Sequence, residues 1–265
     1  MHPLNSKIIV LTGAAGGIGR AVAELLNTLN ATLVLTDIDA GRLDELNRHL
    51  GSRHYTVAAD LSHAEGRRTL LECCYDMMEA PQILINIAGI NQFSQLTDFS
   101  DEQLSRLMNI NLTSQIALCR DFLPLFSRQT HASIINVGSI LGSIGMPGYS
   151  VYCASKFGLR GFTEALRREM MDTSITVRYF APRATQTALN DSRVNEMNRA
   201  LGNAMDSPGQ VAVELVDFLI KHHNCGYLGW PEKLFVRINN LCPALVDKSF
   251  KKQLPVIKRY LRGES

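Results

Sequence analysis

The chain has 265 residues, a formal net charge of +2, and 46% hydrophobic and 20% charged residues. That length can bury a full α/β core without staples, and so small a net charge excludes a global polyanion-binding character, so no nucleic-acid partner is expected. The six cysteines show no paired CxxC spacing, so neither a zinc site nor any other metal is expected, and a reduced, cytoplasmic chain is.

Residues 1–7 carry no basic stretch followed by an apolar run, so no secretory leader is expected. No apolar run is long enough to cross a bilayer. From Ile8 onward, short β-branched runs alternate with helical patterns. The runs are Ile8–Leu11, Thr32–Leu35, Tyr55–Val57, Ile83–Ile85, Ile134–Val137 and Ile175–Phe180, and helical patterns cover Ile18–Leu29, Gly41–Leu50 and Ala64–Met78. Continuous apolar strands must be covered on both faces, so the alternation predicts a doubly wound α/β fold with a parallel sheet and right-handed crossovers. Ser207-Pro208 opens a further helix through Leu219, and a short strand near Tyr227-Leu228 closes the sheet. The whole chain, 1–265, is read as one domain, with 231–265 an irregular, basic extension.

Four places along this order carry chemistry. The first strand runs directly into Thr12-Gly13-Ala14-Ala15-Gly16-Gly17-Ile18-Gly19 and then a helix. Glycines there allow a sharp turn, and backbone N–H groups at the positive helix end suit a pyrophosphate. Asp37 ends the second strand, where a carboxylate can accept from both hydroxyls of an adenosine ribose and repel a 2′-phosphate, which favours NAD over NADP. Tyr152 and Lys156 are four apart, so they lie one turn apart on one side of a helix. An ammonium there is expected to lower the phenol pKa toward a working range. Ser139 follows the apolar strand at the sheet's carboxyl edge, where open α/β folds bind ligands.

Thr12–Gly19, Asn86-Ile87-Ala88-Gly89, Asn111, Ser139 and Tyr152 with Lys156, in this order over roughly residues 6 to 230, resemble the short-chain dehydrogenase/reductase family. The resemblance implies a Rossmann-type sheet of about seven strands with helices on both faces. It implies hydride transfer between a nicotinamide and a secondary alcohol or ketone. Tyr152 would exchange the proton and Ser139 would orient the substrate oxygen. Lys156 would bind the nicotinamide ribose and lower the Tyr152 pKa, and Asn111 would hold a relay water. Cofactor contacts are expected from Gly13, Ala15, Gly16, Gly17, Ile18, Gly19, Asp37, Asp60, Leu61, Asn86, Ala88, Gly89, Tyr152, Lys156, Pro182, Thr185 and Thr187. Assembly as a homodimer or homotetramer would use the helices after Asn111 and Tyr152, where Ala154, Gly158 and Gly161 allow close approach.

Two departures stand out. Ile87 replaces a usual Asn, and Arg183 replaces the Gly usual after Pro182; Arg183 is expected to be strained if its φ is positive, and otherwise to point to solvent or, less favoured, to a charged substrate group. Residues 140–149 should line the substrate side. The segment 188–205, with Leu189, Met197, Leu201 and Met205 among polar residues, reads either as an amphipathic lid over an apolar, steroid-like or long-chain substrate or as permanent packing. The stretch from Pro243 interleaves Lys248, Lys251, Lys252, Lys258, Arg259 and Arg262 with apolar residues, which suits packing on its own domain or a partner subunit more than an anionic membrane surface. The rival readings are an NADP-linked carbonyl reductase and a non-catalytic dinucleotide-binding regulator. The intact Ser139–Tyr152–Lys156 set opposes the regulator. Asp37, and the lack of a basic residue between Gly13 and Gly19, opposes NADP.

Overall fold

The apolar runs become strands β1 Ile8–Thr12, β2 Thr32–Asp37, β3 Tyr55–Ala58, β4 Ile83–Asn86, β5 Ala132–Val137 and β6 Ile175–Ala181, joined by a short β7, Cys225–Tyr227. A computed structural model describes residues 2–221 and 223–263 of the chain. The strands form one seven-stranded sheet in the order β3-β2-β1-β4-β5-β6-β7. Every pairing is parallel; Val10, for example, pairs with Val34 on one side and Leu84 on the other. Strand order reverses between β1 and β4, which opens a crevice at their carboxyl ends.

Successive strand residues point to opposite faces, so each strand feeds two cores. Ile9, Leu11, Leu33 and Leu35 face a layer that includes Val22 and Leu26 of α1 (Gly17–Thr28), Leu43 and Leu46 of α2 (Ala40–His49) and Leu215 of α8 (Pro208–Ile220). Val10, Val34, Leu84 and Ile134 face Leu70 of α3 (Ala64–Tyr75), Phe122 and Phe126 of α5 (Ser114–Phe126) and Leu166 of α6 (Ser150–Glu169). Helix α3 stops at Tyr75 rather than the expected Met78, and Met78 is left fully exposed.

Helix α8 starts as its Ser207-Pro208 pair predicts: Ser207 accepts from the Gln210 N–H and the Gln210 side chain accepts in return. At its other end a fully buried cation closes it. Arg178 of β6 donates to the Phe218 and Leu219 carbonyls at 3.3 and 3.1 Å and to Ser133 at 2.7 Å. Burial pushes this guanidinium down to about 10, and the negative helix end offsets part of that cost.

The region after Trp230 is not irregular. It folds into α9, Glu232–Leu241, and α10, Pro243–Leu261, which pack with α7, Ser192–Ala200. Phe250, Ile257 and Leu261 repeat at helical spacing, and this stripe joins Phe93, Tyr149, Val194 and Met197 in a separate apolar cluster. Its packing partner is thus its own domain.

Candidate active site

The β1–α1 turn has the geometry of an anion cradle. Gly13 adopts φ +63°, and a Cβ on it would lie 2.9 Å from the Ala88 Cα; a Cβ on Gly19 would lie 2.0 Å from the Gly13 carbonyl oxygen. Only glycine fits either position. Gly16 caps α1 without a side-chain acceptor, and the first turn holds no acidic residue. The first N–H groups of α1, from Gly17, Ile18 and Gly19, therefore point into the crevice with the positive end of the helix behind them. Thr12 fixes the neighbouring wall by accepting from the Ile87 and Ala88 N–H groups at 3.0 and 3.1 Å.

Asp37 sits at the end of β2, and its carboxylate accepts from the Ala15 N–H at 3.0 Å and the Asp39 N–H at 3.3 Å. Sequence reasoning missed its neighbour. Arg42 reaches back from α2 to the Ala15 carbonyl at 2.7 Å; a basic residue beside the glycine turn was sought within that turn, not 27 residues on. Past β3, burial alone would raise the Asp60 carboxyl, but hydrogen bonds from Ser62 and nearby His63 and Arg106 outweigh it and hold Asp60 below its ordinary value. The Leu61 carbonyl is taken by Arg67 at 3.0 Å. Asn86 packs into the central sheet, at the end of β4. It is wholly buried and its amide donates to Asn136 Oδ1 at 2.9 Å, tying β4 to β5 inside the sheet. These residues fit a dinucleotide: a tight glycine turn leads into a helix start with no capping side chain or acidic residue, and a carboxylate ends the neighbouring strand.

The reactive groups converge at the ends of β5 and α6. Tyr179 of β6 accepts from the Ser139 N–H at 3.3 Å and donates to the Ser139 carbonyl at 3.2 Å, which fixes Ser139's backbone. The Ser139 hydroxyl is a hydrogen-bonding neighbour of the Tyr152 phenol. Burial pushes that phenol up to about 12 despite the Ser139 bond. The expected lowering by Lys156 is not met in this geometry. The ammonium lies 5.8 Å from the Tyr152 ring centroid and donates to the Val137 carbonyl at 3.3 Å, and burial pushes it down to about 8. Lys156 is thus a buried cation, and among the described residues no carboxylate lies beside it.

Asn111 is wholly buried in a single wide π-type turn at residues 109–113, between α4 (Asp101–Met108) and α5. Such turns recur at functional sites. Its amide oxygen accepts from the Ile90 N–H at 2.8 Å, and its nitrogen donates to the Ile90 carbonyl at 2.9 Å and to Ser155 at 3.3 Å. A Cβ on Gly89 would lie 3.2 Å from Asn111 Oδ1 and 3.7 Å from Lys156 Nζ, so Asn111 and Lys156 approach the same small gap.

A cavity of about 620 Å³ opens from Tyr152, Lys156 and Ser139 toward the C-terminal helices. Ile140, Leu141, Ile144, Met146 and Tyr149 line one side, as the sequence implied. Leu201, Phe235, Ile238, Val246 and Phe250 line the other. Most of this second wall comes from α9 and α10, which no sequence signal had placed at the site. Of the supposed lid residues, Leu189 and Leu201 face the cavity, while Met197 is fully buried against the α10 cluster.

Pro182, Thr185 and Thr187 also line the cavity, and a Cβ on Gly17 would meet Thr187 Cγ2 at 2.7 Å, so this segment folds over the glycine turn. Arg183 is neither strained nor turned to solvent. It is absent from the positive-φ residues, its side chain is 17% exposed, and it forms a two-bond pair with Asp206 at 2.9 and 2.7 Å plus a bond to Glu232 at 3.2 Å. Gly229, at φ +93°, leaves the space Arg183 crosses: a Cβ there would lie 2.8 Å from Arg183 Cδ. Arg183 therefore ties the cofactor-side loop to α9.

Residues 7–198 match the family model described as short chain dehydrogenase. The chain is 32% identical over 218 residues to the 3-oxoacyl-[acyl-carrier-protein] reductase FabG of Vibrio harveyi, covering 80% of this chain and 89% of that protein. It is 31% identical to the 2,3-dihydroxy-2,3-dihydro-p-cumate dehydrogenase of Pseudomonas putida, covering 88% and 91%. A short chain dehydrogenase/reductase from Burkholderia phymatum, solved with NAD, superposes with a TM-score of 0.83 at 22% identity, covering 92% of this chain and 96% of that one.

Proposed function

This chain belongs to the short-chain dehydrogenase family of oxidoreductases acting on CH–OH and carbonyl groups, and we propose that it interconverts an apolar secondary alcohol and its ketone with NAD(H) as cofactor. The observation that carries the substrate class is the composition of the cavity: the Ser139–Tyr152 pair sits at the end of a chamber walled by Leu141, Ile144, Phe235, Ile238 and Phe250. A chamber of about 620 Å³ lies within the range of drug-sized ligand pockets. The nicotinamide would share it, since Ile18, Gly89, Lys156 and Thr187 also line it, and the apolar remainder suits a ring-shaped or long-chain molecule.

The cofactor's phosphates would lie on the glycine turn and the start of α1, with its ribose hydroxyls on Asp37 at one end and Lys156 at the other. A bound nicotinamide supplies or takes up the hydride. Ser139 holds the substrate oxygen and Tyr152 gives or takes its proton. A phenol held up at about 12 by burial is protonated at neutral pH, which suits it to donate to a developing alkoxide. Asn111, beside the gap that Lys156 also approaches, would hold the relay water that links Lys156 to solvent. Asp37 supports NAD because a second anion beside its carboxylate is repelled. Arg42 gives the NADP reading its one specific support, since its guanidinium lies at the same turn; we place Asp37 first because it ends the strand that the ribose follows. Subunit contact through α5 and α6 is part of the same proposal, with exposed Ala154, Phe157 and Gly161 on its surface. Gly158 serves a different purpose, since a Cβ there would meet Leu112 at 2.8 Å.

A panel of secondary alcohols, from short chains to hydroxysteroids and long-chain 3-hydroxyacyl compounds, tests the reading by NADH absorbance. Rates per enzyme should rise with apolar bulk. Turnover confined to small polar alcohols would remove the substrate assignment, and faster turnover with NADP would remove the cofactor assignment.

A further inference from the structure

The corner between α9 and α10 is unlike the rest of the surface. Leu241-Cys242-Pro243-Ala244-Leu245 are five consecutive apolar or weakly polar residues, and all five are exposed. Leu241 is 82% exposed and Leu245 56%, and Leu234, two helical turns before Leu241 on the same face of α9, is 44% exposed. Folding normally leaves apolar side chains exposed singly; a rimmed apolar cluster marks a surface that meets something. Among the described residues nothing covers it.

The rim is basic. Lys233 and Arg237 flank the corner on α9, and Lys248, Lys251 and Lys252 flank it on α10, all exposed. Asp247 is the exposed carboxylate among them, and Glu232 is already bound by Arg183. Residues 231–265 hold eight of the chain's Lys and Arg against three Asp and Glu, so the rest of the molecule is slightly acidic and the cationic surplus is confined to this end. Trp230, 67% exposed, stands at the start of the same segment; Trp is a side chain that favours the membrane–water boundary.

We propose that the α9–α10 corner is a docking surface for an anionic lipid bilayer, with Leu241 and Leu245 entering the headgroup region and the five cations resting on lipid phosphates. A second copy of this chain is a poorer occupant: a two-fold contact through the corner would set five cations against the same five. No described helix is long and apolar enough to cross a membrane, so the contact is interfacial. Phe235 and Leu245 are exposed on this surface and also line the cavity. The cavity mouth therefore opens where the protein meets lipid, which would let an apolar substrate pass without crossing water. That delivery rests on the proposed substrate class; the docking does not.

The test is flotation of the full chain with vesicles of phosphatidylcholine alone, and with vesicles of equal parts phosphatidylcholine and phosphatidylglycerol, at low and high salt and with no substrate present. The chain should float with the anionic vesicles at low salt and stay behind with the neutral ones. Each Lys near an anionic surface contributes on the order of fivefold in partitioning, so Lys251→Ala with Lys252→Ala should weaken binding at least tenfold. Leu241→Ser should weaken it by about tenfold, as expected for one buried Leu side chain. None of these side chains lines the cavity, so both variants should keep wild-type turnover of a water-soluble alcohol without vesicles. Failure of the wild type to float, or unchanged flotation of Leu241→Ser, overturns the proposal. So does a dimer in sedimentation that Leu241→Ser converts to monomer, since the corner would then be covered by a second copy. Flotation is read without turnover, so a wrong substrate class and a wrong docking surface give separate failures.

Discussion

Two walls face each other across one cavity and are built by different means. The wall from β1, β4 and β5 works through backbone: a glycine at φ +63°, bare helix N–H groups, and hydroxyls and amides bonded at 2.8–3.1 Å. The wall from α7, α9 and α10 works through side-chain volume, with Leu201, Phe235, Ile238, Val246 and Phe250 converging from three helices. The first wall tolerates almost no substitution at Gly13 and Gly19. The second needs only apolar bulk of roughly the right size, so it can be retuned to a new substrate. The match to the family model ends at residue 198, before α8, α9 and α10 begin.

The sharpest way to separate the walls is to disable the first. Tyr152→Phe should lower turnover by about 10²–10⁴-fold, the range for a lost general acid or base, with cofactor and substrate affinities nearly unchanged by titration. Wild-type turnover would remove Tyr152 from the reaction. Lys156→Met should lower turnover and cofactor affinity together while raising the melting temperature of the cofactor-free protein by a few degrees. It removes a buried ammonium whose protein bond is a single 3.3 Å contact to a carbonyl, and function is the reason to tolerate such a group. A lower melting temperature would mean that Lys156 holds the fold rather than the cofactor.

Next in size is the tie between the walls. Arg183→Ala breaks the pair with Asp206, which is only 7% exposed. Leaving that carboxylate uncompensated should cost about 1–3 kcal/mol, at the low end for a buried pair because some solvent reaches it. The KM for an apolar substrate should rise while NAD affinity, set by the other wall, stays within about twofold. Equal loss of both would show that Arg183 supports the cofactor loop itself. Asp37→Ala acts only on the first wall. It removes charge-assisted hydrogen bonds, so NAD should bind about tenfold more weakly, and the preference over NADP should shrink. Unchanged discrimination would transfer that role to Arg42.

What could be read from sequence divides along the same line. Gly13, Gly19, Asp37, Ser139, Tyr152 and Lys156 were legible because each answers a local demand: a backbone angle, a close approach, a one-turn spacing. β1, β2, β4, β5 and β6 were legible for the same reason, since a strand buried on both faces has to be continuously apolar; β3 lies at the sheet edge with Tyr55 and Ala58 exposed, and its Thr56-Val57 pair marked it instead. Arg42, the Arg183–Asp206–Glu232 tie and the α9–α10 wall were not legible. Their partners lie 23 to 49 residues away, and periodicity shows that a helix has an apolar face without showing what that face meets. Asn86 stands between the two cases. Its position at the end of the apolar run was plain, but whether its amide faced the crevice or the sheet depended on Asn136, fifty residues on.

The smallest effect expected is also a test of how Lys156 is held. Burial lowers its ammonium from 10.5 to about 8, so the unfolded chain binds this proton more tightly than the native one. Below pH 8 both states are protonated and the cost of burying the charge is constant. Between about pH 8 and 10.5 the unfolded chain keeps the proton and the native chain has lost it, so stability rises with pH through that window. Tyr152 acts in the opposite sense. Its phenol, raised from 10.0 to about 12, keeps a proton that the unfolded chain loses above pH 10, so its contribution declines there. Other buried groups titrate in the same range, so the readable quantity is a difference. The stability of wild type minus that of Lys156→Met, from denaturant midpoints in cofactor-free protein, should be flat below pH 8 and climb above it. Saturating NAD should shift the start of the climb to higher pH, because ribose hydroxyls would solvate the ammonium and favour its charged form. A difference that stayed flat to pH 10 would mean that Lys156 is hydrated in the free protein, and its barely satisfied burial against the first wall would have to be given up.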